Sequence, residues 1–382
     1  MNICLLGASG SIGRQTIDVI NKNPNDFTLV SFSVGKRTRC ISNILKKHKS
    51  VTHICIQDEK TAKKYQKKYP NITVFHDENG LNQLIEESNN EMVVNALVGF
   101  VGLVPSITSL ENNKLLALAN KESLVVGGEI INQLLKEGKG KLFPIDSEHS
   151  ALWKCLKVED EGVKKLHLTA SGGAFRNLSL NELKNVTPED ALHHPTWKMG
   201  EKITIDSATM MNKAFELIEA YYLFGYQNDK LSVTLHDESY LHSYVEYDGY
   251  FRGEINKPDM RNPIKFALYQ GNIPFQTQVF TSLSDLKGLT FHEFDIDRYP
   301  IVRYAYEVIK KRGNLGAIIN ASNEVAVHAF LEHKISFLMI EEIVSQCVKN
   351  IKYEKNPSLD ELIKCDRETR GFANKLIEEV NR

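Results

Sequence analysis

The residues Ile3-Cys4-Leu5-Leu6-Gly7-Ala8-Ser9-Gly10-Ser11-Ile12-Gly13 decide the fold class of this chain of 382 residues. The apolar residues at the start predict a buried strand, and the glycines after them are spaced Gly-x-x-Gly-x-x-Gly. Glycines at this point permit a tight turn and let the backbone approach a pyrophosphate at a helix N-terminus. The stretch therefore predicts a dinucleotide site of the Rossmann type, although a sharp structural turn can show the same spacing.

Apolar runs and amphipathic segments alternate through residues 1–146. The apolar runs are Ile3–Leu6, Thr28–Val34, His53–Ile56, Ile72–Phe75, Met92–Leu97, Leu115–Ala119 and Leu142–Ile145, and helical patterns between them include Ile12–Asn21, Arg39–Lys49, Glu59–Lys68 and Leu81–Glu87. Strand, helix and strand at this spacing predict an open parallel sheet with helices on both faces. We therefore assign residues 1–146 to a Rossmann-like domain.

The pattern of predicted strands and helices changes twice after residue 146. Residues 147–275 combine predicted strands, such as Val163–Thr169 and Lys202–Ile205, with a helix that begins at Ser207. We predict a central α+β domain here, followed by a linker at 276–297. From 298 to 382 the helical patterns predict a bundle, and they are Ile301–Lys311, Glu324–Leu331, Phe337–Asn350 and Ser358–Val380. The predicted fold class is thus α/β with a C-terminal α-helical bundle.

The end of the second predicted strand indicates which dinucleotide binds. An NAD site places Asp or Glu here to bind the ribose hydroxyls, whereas this chain has Gly35-Lys36-Arg37-Thr38-Arg39. Three cations suit a ribose 2′-phosphate, so the segment favours NADPH over NADH. A basic helix start that faces solvent would give the same pattern.

Three carboxylates form a candidate metal site. Asp146 and Glu148 follow the last strand of the first domain, two residues apart, so on extended chain they would point the same way. Glu216 lies on the helix predicted from Ser207 and could reach the same ion. Three carboxylates suit Mg²⁺ or Mn²⁺ rather than zinc. Taken alone, the Asp146–Glu148 segment is also explained by a helix cap and an exposed glutamate.

A candidate phosphate site lies on the same helix. Ser207 is placed to cap its N-terminus, and Asn212, Lys213 and Glu216 share one of its faces. The capped helix start, with an amide and an ammonium beside it, suits an anion. Ser171-Gly172-Gly173 ends another predicted strand and would add a hydroxyl and backbone donors, or it is simply a structural turn.

Composition excludes several other classes. Lys and Arg number 47 and Asp and Glu 48, so a net charge of −1 offers no global field for nucleic acid or an anionic membrane. No apolar run approaches the roughly 20 residues of a membrane helix. Six scattered cysteines without Cys-x-x-Cys spacing fit a reducing compartment and exclude a thiolate zinc site. The chain opens on a strand and a glycine turn, so we expect it in the cytoplasm.

Several further segments are those of a known family. They are Gly7–Gly13, Leu118–Val125, Asp146–Ala151, Ser171–Gly173, His194–Gly200, Ile205–Glu216, Pro258–Arg261 and Asn320–Val327. With them the chain resembles the 1-deoxy-D-xylulose 5-phosphate reductoisomerases over nearly its whole length. It departs from the usual pattern of that family at Ala174, Thr196, Ala214-Phe215 and His236–Ser239, which removes no predicted metal ligand or phosphate contact.

The resemblance implies a homodimer with an N-terminal NADPH domain, a central catalytic and dimerising domain and a C-terminal helical domain. The implied cofactor contacts are Ser9, Gly10, Ser11, Ile12, Gly35, Lys36, Arg37, Asn120, Glu122 and Gly200. The implied metal ligands are Asp146, Glu148 and Glu216. The implied substrate contacts are Lys121, Ser147, Glu148, Ser171, His194, Trp197, Ser207, Asn212, Lys213 and Glu216. Of these, Lys121, Asp146, Glu148, His194 and Glu216 are the implied catalytic residues.

The implied reaction uses NADPH and Mn²⁺ or Mg²⁺ to convert a small sugar phosphate, 1-deoxy-D-xylulose 5-phosphate, into 2-C-methyl-D-erythritol 4-phosphate for isoprenoid precursors. The rearrangement can run by retroaldol cleavage and re-addition or by an α-ketol shift. We also expect residues 193–200 to form a lid that places Trp197 over the substrate. Two rivals are an NADP-dependent dehydrogenase without isomerisation, disfavoured by the three carboxylates, and a cofactor-sensing regulator, disfavoured by the complete set of motifs.

Overall fold

A computed structural model describes residues 1–194, 196–197, 199–272, 286 and 288–380. This part of the chain divides into two compact units. The first consists of Met1–Ser123, Ile130–Ser150 and residues 260–272, and the second of Leu124–Glu129, Ala151–Asp259 and the described residues from 286 onward. The three-domain division drawn from the sequence stays a prediction. Of its linker at 276–297, residues 276–285 and 287 lie outside the described residues.

The first unit is built on a parallel sheet, as the sequence predicts. Its described strands are ordered β4-β3-β2-β1-β5-β6-β7, and their bounds are β1 Asn2–Leu6, β2 Thr28–Val34, β3 His53–Ile56, β4 Thr73–His76, β5 Met92–Asn95, β6 Leu115–Leu118 and β7 Lys141–Pro144. The helices in this part of the chain are α1 Ser11–Lys22, α2 Ile41–Lys47, α3 Glu59–Lys68, α4 Asp77–Glu87, α5 Leu103–Glu111, α6 Lys121–Lys136 and α7 Ser147–Val158. The middle of α6 and most of α7 belong to the second unit. Because a parallel sheet is covered on both faces, its central strands read as unbroken apolar runs.

The glycine turn after β1 has a steric cause. Gly7 has a φ of +83°, and a Cβ at this position would lie 2.6 Å from the carbonyl oxygen of Ala96. A Cβ on Gly13 would lie 2.2 Å from the carbonyl oxygen of Gly7. Neither distance leaves room for a side chain, so α1 packs directly against the end of β1. This is the backbone approach that the glycine spacing predicts.

The second unit contains a mixed sheet. Its described strands are ordered β11-β10-β8-β9-β12, with β8 Lys165–Ala170, β9 Leu231–Leu235, β10 Leu241–Glu246, β11 Phe251–Ile255 and β12 His292–Glu293. Only β8 and β9 run parallel among these pairs. The helices that follow α7 are α8 Pro188–Ala191, α9 Glu201–Thr209, α10 Met211–Phe224, α11 Arg261–Leu268, α12 Arg303–Lys311, α13 Leu315–Leu331, α14 Met339–Asn350 and α15 Leu359–Val380.

Helix α10 forms the centre of the second unit. Its buried side chains, among them Phe215 and Leu217, share one hydrophobic core with Leu168 of β8, Val233 of β9 and Val308 of α12. Helix α13 packs against α14 and α15, so the C-terminal region is helical as predicted. The predicted fold class is confirmed. None of the described helices is both long and apolar enough to cross a membrane.

Helix α11 lies far along the chain but belongs to the first unit. It packs against α1, and the Arg261 guanidinium lies 3.1 Å from a carboxylate oxygen of Asp18. Just beyond the helix, the Tyr269 ring meets the ring of Phe27 edge to face, with centroids 4.8 Å apart. The first unit is therefore assembled from segments about 240 residues apart in sequence, as the separation of 243 between Asp18 and Arg261 shows.

Two local predictions near Ser207 are wrong. Residues 202–205 form the first turns of α9 rather than a strand, and Ser207 lies in the last turn of α9 rather than at a helix start. Helices α9 and α10 are separate because Met210, between them, takes the left-handed conformation with a φ of +68°. The β-branched residues Ile203, Thr204 and Ile205 favour a strand locally, but burial of Ile205 in the second unit overrides that preference.

Candidate active site

The N-terminus of α1 offers backbone donors at the carboxyl edge of the parallel sheet. Gly10 caps the helix, donates its N–H to the carbonyl oxygen of Gly7 at 3.0 Å, and has no side chain to cover the first turn. Ser9, Ser11 and Ile12 are each half-buried around it. Orphan N–H groups at a helix start bind phosphate oxygens, so the turn has the form that a pyrophosphate needs.

The basic segment after β2 lies at the same edge of the sheet. Gly35 is half-buried, and Lys36 and Arg37 are exposed. In the described part of the chain, neither of these two cations has an ion-pair partner. Because β1 and β2 are parallel neighbours, their carboxyl ends meet on one side. The binding of a ribose phosphate by these two side chains stays a prediction.

Asn120 organises the turn between β6 and α6. Its Oδ1 accepts the N–H of Ser123 at 3.1 Å, and its Nδ2 donates to the carbonyl oxygen of Gly99 at 2.9 Å and to Glu122 Oε2 at 3.0 Å. Asn120 and Glu122 are both buried. Their polar atoms hold this turn in shape, and that geometry alone does not make either one a cofactor contact.

Lys121 and Asp146 form a buried ion pair in the first unit. Lys121 begins α6, and Asp146 follows β7 at the carboxyl edge of the sheet. The Lys121 ammonium is paired with Asp146 Oδ2, with the two side chains only 8% and 10% exposed. A buried charge of this kind needs a partner, because desolvation of an isolated one is costly. The pair brings together one predicted metal ligand and one predicted substrate contact.

The carboxylates of Asp146 and Glu148 converge as predicted, with oxygen atoms within 4.8 Å of each other, but the chain is not extended there because α7 begins at Ser147. Ser147 donates its hydroxyl to Glu148 Oε2 at 2.5 Å within the first turn. His149, one residue further, is fully buried, and its Nδ1 lies 4.0 Å from Asp146 Oδ1. Asp146 thus follows the end of β7, whereas Glu148 lies in the first turn of α7. The sequence alone did not predict that a helix begins between them.

Ser171, His194 and Ser207 form a cluster in the second unit. His194 Nε2 lies 3.2 Å from Ser171 Oγ and 3.1 Å from Ser207 Oγ. The other ring nitrogen, Nδ1, accepts the N–H groups of Thr196 and Trp197 at 3.2 and 3.0 Å. The proton of the neutral ring is therefore on Nε2, pointing at the two hydroxyls. Burial lowers the pKa of His194 to about 4, so the ring stays neutral near pH 7.

The first turns of α10 carry a second polar group. Lys213 is buried, donates to the carbonyl oxygen of Thr169 at 2.6 Å and is paired with Glu216. Asn212 donates to the other carboxylate oxygen of Glu216. Thr169 lies on β8, directly before the loop that begins at Ser171. Asn212, Lys213 and Glu216 thus share one helix face, as their spacing predicts.

The predicted lid is described except at Pro195 and Lys198. Trp197 is half-buried, with its ring centroid 6.1 Å from that of His242 in an edge-to-face arrangement. Thr196, one of the departures from the family pattern, places its Oγ1 3.2 Å from the hydroxyl of Ser239. Gly200 caps α9 and accepts a hydrogen bond from Thr204 Oγ1 at 2.8 Å.

Sequence reasoning assigned no role to Lys202, Asp206 and Asn323. Asp206 and Asn323 are buried polar residues, and the Asn323 Nδ2 donates to Asp206 Oδ1 at 2.8 Å. Lys202 Nζ lies 2.8 Å from Asp206 Oδ2. Both Asp206 and Asn323 occur in segments that carry the family resemblance, but their separation of 117 residues gives no local signal of the contact.

The predicted site residues are divided between the units. Lys121, Asp146, Ser147 and Glu148 belong to the first unit, together with all predicted cofactor contacts except Gly200. The second unit contains Gly200, Ser171, His194, Trp197, Ser207, Asn212, Lys213 and Glu216. Within each unit the contacts above join some of these residues, as Lys121 with Asp146 and His194 with Ser207. The roles themselves remain predictions.

Three protein-family models match the chain. They are "1-deoxy-D-xylulose 5-phosphate reductoisomerase" at residues 3–128, "1-deoxy-D-xylulose 5-phosphate reductoisomerase C-terminal domain" at 142–224 and "DXP reductoisomerase C-terminal domain" at 255–372. A 1-deoxy-D-xylulose 5-phosphate reductoisomerase of Bacillus cereus is 42% identical over 379 residues, covering 98% of this chain and 100% of its own length. One of Desulforamulus reducens is 43% identical over 383 residues, with 98% of each chain covered.

Solved structures agree with these relatives. A DOX-P reductoisomerase crystallised with NADPH, fosmidomycin and magnesium is 30% identical, has a TM-score of 0.93, and aligns over 100% of this chain and 99% of its own. The Zymomonas mobilis enzyme in complex with NADPH is 34% identical, has a TM-score of 0.89 and is covered over 99% of both chains. The resemblance inferred from the motifs is confirmed. The chain therefore belongs to the 1-deoxy-D-xylulose 5-phosphate reductoisomerase family.

Proposed function

We propose that this chain is an NADP-dependent oxidoreductase that rearranges 1-deoxy-D-xylulose 5-phosphate and reduces the product to 2-C-methyl-D-erythritol 4-phosphate. The reaction requires a divalent metal and supplies isoprenoid precursor biosynthesis. The observation that carries the proposal is family membership over 98% of the chain with 42% identity. The glycine turn, the paired carboxylates and the cluster around His194 support it, because each offers the chemistry that one part of the reaction needs.

Asp146, Glu148 and Glu216 would hold the metal. Their oxygen donors fit Mg²⁺ or Mn²⁺, which prefer carboxylates, and the buried carboxylates of Asp146 and Glu216 are already balanced by Lys121 and Lys213. When bound, the ion supplies Lewis-acid polarisation of the substrate's carbonyl and hydroxyl oxygens, and NADPH supplies the hydride. The donor set thus fits a hard cation.

The second unit would bind the substrate phosphate. His194 donates through Nε2, and the hydroxyls of Ser171 and Ser207 lie within 3.2 Å of that nitrogen. Asn212 and Lys213 on α10 add an amide and an ammonium. Because this anchor is remote from the reacting carbons, its binding energy can orient them without entering the chemistry.

Lys121 holds positive charge at the carboxyl edge of the parallel sheet. Its buried ammonium stabilises negative charge that develops on a substrate oxygen during the rearrangement. The glycine turn after β1 orients the cofactor's pyrophosphate, and Lys36 and Arg37 select the 2′-phosphate. The same residues serve retroaldol cleavage with re-addition and an α-ketol shift, so both routes remain open.

We further propose that the chain forms a homodimer through its mixed sheet and works in the cytoplasm. Strand β11 is an edge of the described sheet, and its Phe251 and Ile255 are 68% and 40% exposed. Exposed apolar side chains on an edge strand favour pairing with another chain. All six cysteines are free, which fits a reducing compartment.

The test is NADPH oxidation with 1-deoxy-D-xylulose 5-phosphate, with and without Mn²⁺ or Mg²⁺, followed by identification of the product. Metal-dependent formation of 2-C-methyl-D-erythritol 4-phosphate supports the proposal. Oxidation of NADPH that yields an unbranched product would favour the dehydrogenase without isomerisation. Tight NADPH binding with no turnover in any divalent metal would favour the cofactor-sensing regulator.

A further inference from the structure

The carboxylate of Asp206, in the last turn of α9, contacts the side chains of Asn323 and Lys202. It is 2% exposed, its Oδ1 accepts from Asn323 Nδ2 at 2.8 Å, and its Oδ2 lies 2.8 Å from Lys202 Nζ. Asn323 is fully buried on α13, in the C-terminal helical region. The contact therefore fixes the last turn of α9 to a helix that contains no predicted substrate contact.

The residue next to Asp206 is Ser207, one of the two hydroxyls around His194. The backbone of Ser207 is also confined, because a Cβ on Gly173 would lie 2.5 Å from its carbonyl oxygen. The carbonyl oxygen of Asp206 accepts from Thr209 Oγ1 at 3.2 Å, and Thr209 Oγ1 in turn accepts the N–H of Met211 at 3.2 Å. A shift of Asp206 would thus move Ser207 and the start of α10 together.

We propose that Asn323 is a positioning residue for substrate phosphate binding, which acts through Asp206 to hold Ser207 and the first turn of α10 in register. This inference rests on the proposed function, because it takes the cluster around His194 as the phosphate anchor. Asn323 makes no contact in that cluster itself. It determines the position of α9, whose last turn carries the Ser207 hydroxyl and whose end leads into Asn212 and Lys213 on α10.

The chemistry of the pair explains why the amide matters. A buried carboxylate must keep its hydrogen bonds, since removal of one partner leaves an undersatisfied charge. Without the Asn323 donor, Asp206 Oδ1 loses a hydrogen bond of 2.8 Å, and its carboxylate would move to replace it. That movement would shift the last turn of α9, and with it Ser207, relative to His194. The first unit, which carries nearly all predicted cofactor contacts, contains no part of this pair.

Asn320 provides a matched control. It lies one turn earlier on α13, is also fully buried, and donates its Nδ2 to Glu324 Oε1 at 3.0 Å, within its own helix. Asn323→Ala and Asn320→Ala therefore remove the same group from the same helix. We expect Asn323→Ala to raise the KM for the sugar phosphate about tenfold. Its KM for NADPH should stay within about twofold of wild type, as should both constants of Asn320→Ala.

An exchange of the pair separates positioning from loss of stability. Asn323→Asp sets two carboxylates against each other and should weaken phosphate binding further than the alanine variant. The double variant Asp206→Asn with Asn323→Asp restores one donor and one acceptor, so it should recover part of the lost affinity. Melting temperatures of all variants are measured alongside. A sugar-phosphate KM unchanged in Asn323→Ala, a parallel rise in the KM for NADPH, or no recovery in the exchanged pair would each overturn the inference.

Turnover by the wild-type chain tests the proposed function independently of the role of Asn323. If the wild-type chain does not convert the sugar phosphate, binding of inorganic phosphate by calorimetry still tests the positioning role. Weaker binding by Asn323→Ala than by Asn320→Ala supports it even then. No phosphate binding by wild type, or equal binding by both variants, overturns it.

Discussion

His194 Nε2 lies 3.1 Å from the hydroxyl oxygen of Ser207 and carries the ring proton, because Nδ1 of the same ring already accepts two backbone N–H groups. Burial, with a smaller contribution from the charge of Arg176, lowers the pKa of His194 to about 4. The imidazole is thus a neutral hydrogen-bond donor rather than a cation near pH 7. This property makes the pH behaviour of the second unit testable.

We expect His194 to make the fold less stable as the pH falls from about 6.5 toward 4. The unfolded chain binds a proton at the ordinary histidine pKa, whereas the folded chain does not until about pH 4. The melting temperature of His194→Asn should therefore fall less than that of wild type between pH 7.5 and pH 5. The exposed neighbour His193 is the control, and His193→Asn should follow wild type. Identical acid profiles for His194→Asn and wild type would contradict the expectation.

Lys36 and Arg37 should determine the choice of cofactor. Replacing both with Ser should weaken NADPH binding, since each charge-assisted hydrogen bond contributes about 1.5–3 kcal/mol, and leave NADH binding nearly unchanged. Dissociation constants for both cofactors measure the effect. Lys46→Ser with Lys47→Ser removes the same charge from exposed positions on α2 and should alter neither constant. Equal weakening of NADPH and NADH by the first pair would show that these residues do not bind the 2′-phosphate.

Glu216→Gln should lower turnover by at least about a hundredfold while NADPH binding is retained. The change keeps the size of the side chain but removes a negative charge from a proposed metal ligand. Turnover is measured over a range of Mg²⁺ concentrations, with Glu201→Gln, an exposed position on α9, as the control. Near-normal activity at ordinary Mg²⁺ would remove Glu216 from the ligand set.

Closure over the substrate should be visible in the fluorescence of Trp197. The chain has two tryptophans, so Trp153→Phe leaves Trp197 as a single probe. A hydroxamate-phosphonate inhibitor of the fosmidomycin type, added with Mn²⁺, should shift its emission and reduce quenching by iodide. The same addition to Trp197→Phe should leave the signal of Trp153 unchanged. A constant Trp197 spectrum at saturating inhibitor would mean that residues 193–200 do not close.

The parallel sheet could be predicted from the sequence because buried strands are continuous apolar runs separated by amphipathic helices. The region around Ser207 could not, because β-branched Ile203 and Ile205 favour a strand that the surrounding core excludes. The break between α9 and α10 at Met210 could not be predicted either, since no sequence pattern indicates a left-handed φ of +68° at a non-glycine residue.

Contacts between residues close in sequence could be predicted, whereas contacts between distant segments could not. Asn212, Lys213 and Glu216 share a face because helical spacing requires it. The pair of Asp206 and Asn323 depends on how α9 meets α13, which no periodicity encodes. The same holds for the tautomer of His194, because two backbone N–H groups set it rather than a neighbouring side chain in the sequence.

The placement of α11 against α1 has a consequence for synthesis at the ribosome. A nascent chain that has emerged only as far as Ser150 holds every strand of the parallel sheet but not the Arg261 and Tyr269 that meet Asp18 and Phe27. The face of α1 that packs against α11 stays uncovered until about a hundred further residues have been translated, as the gap from Ser150 to Met260 shows. The first unit is thus obliged to finish folding after about half of the second unit, including all of Ala151–Asp259, has been made.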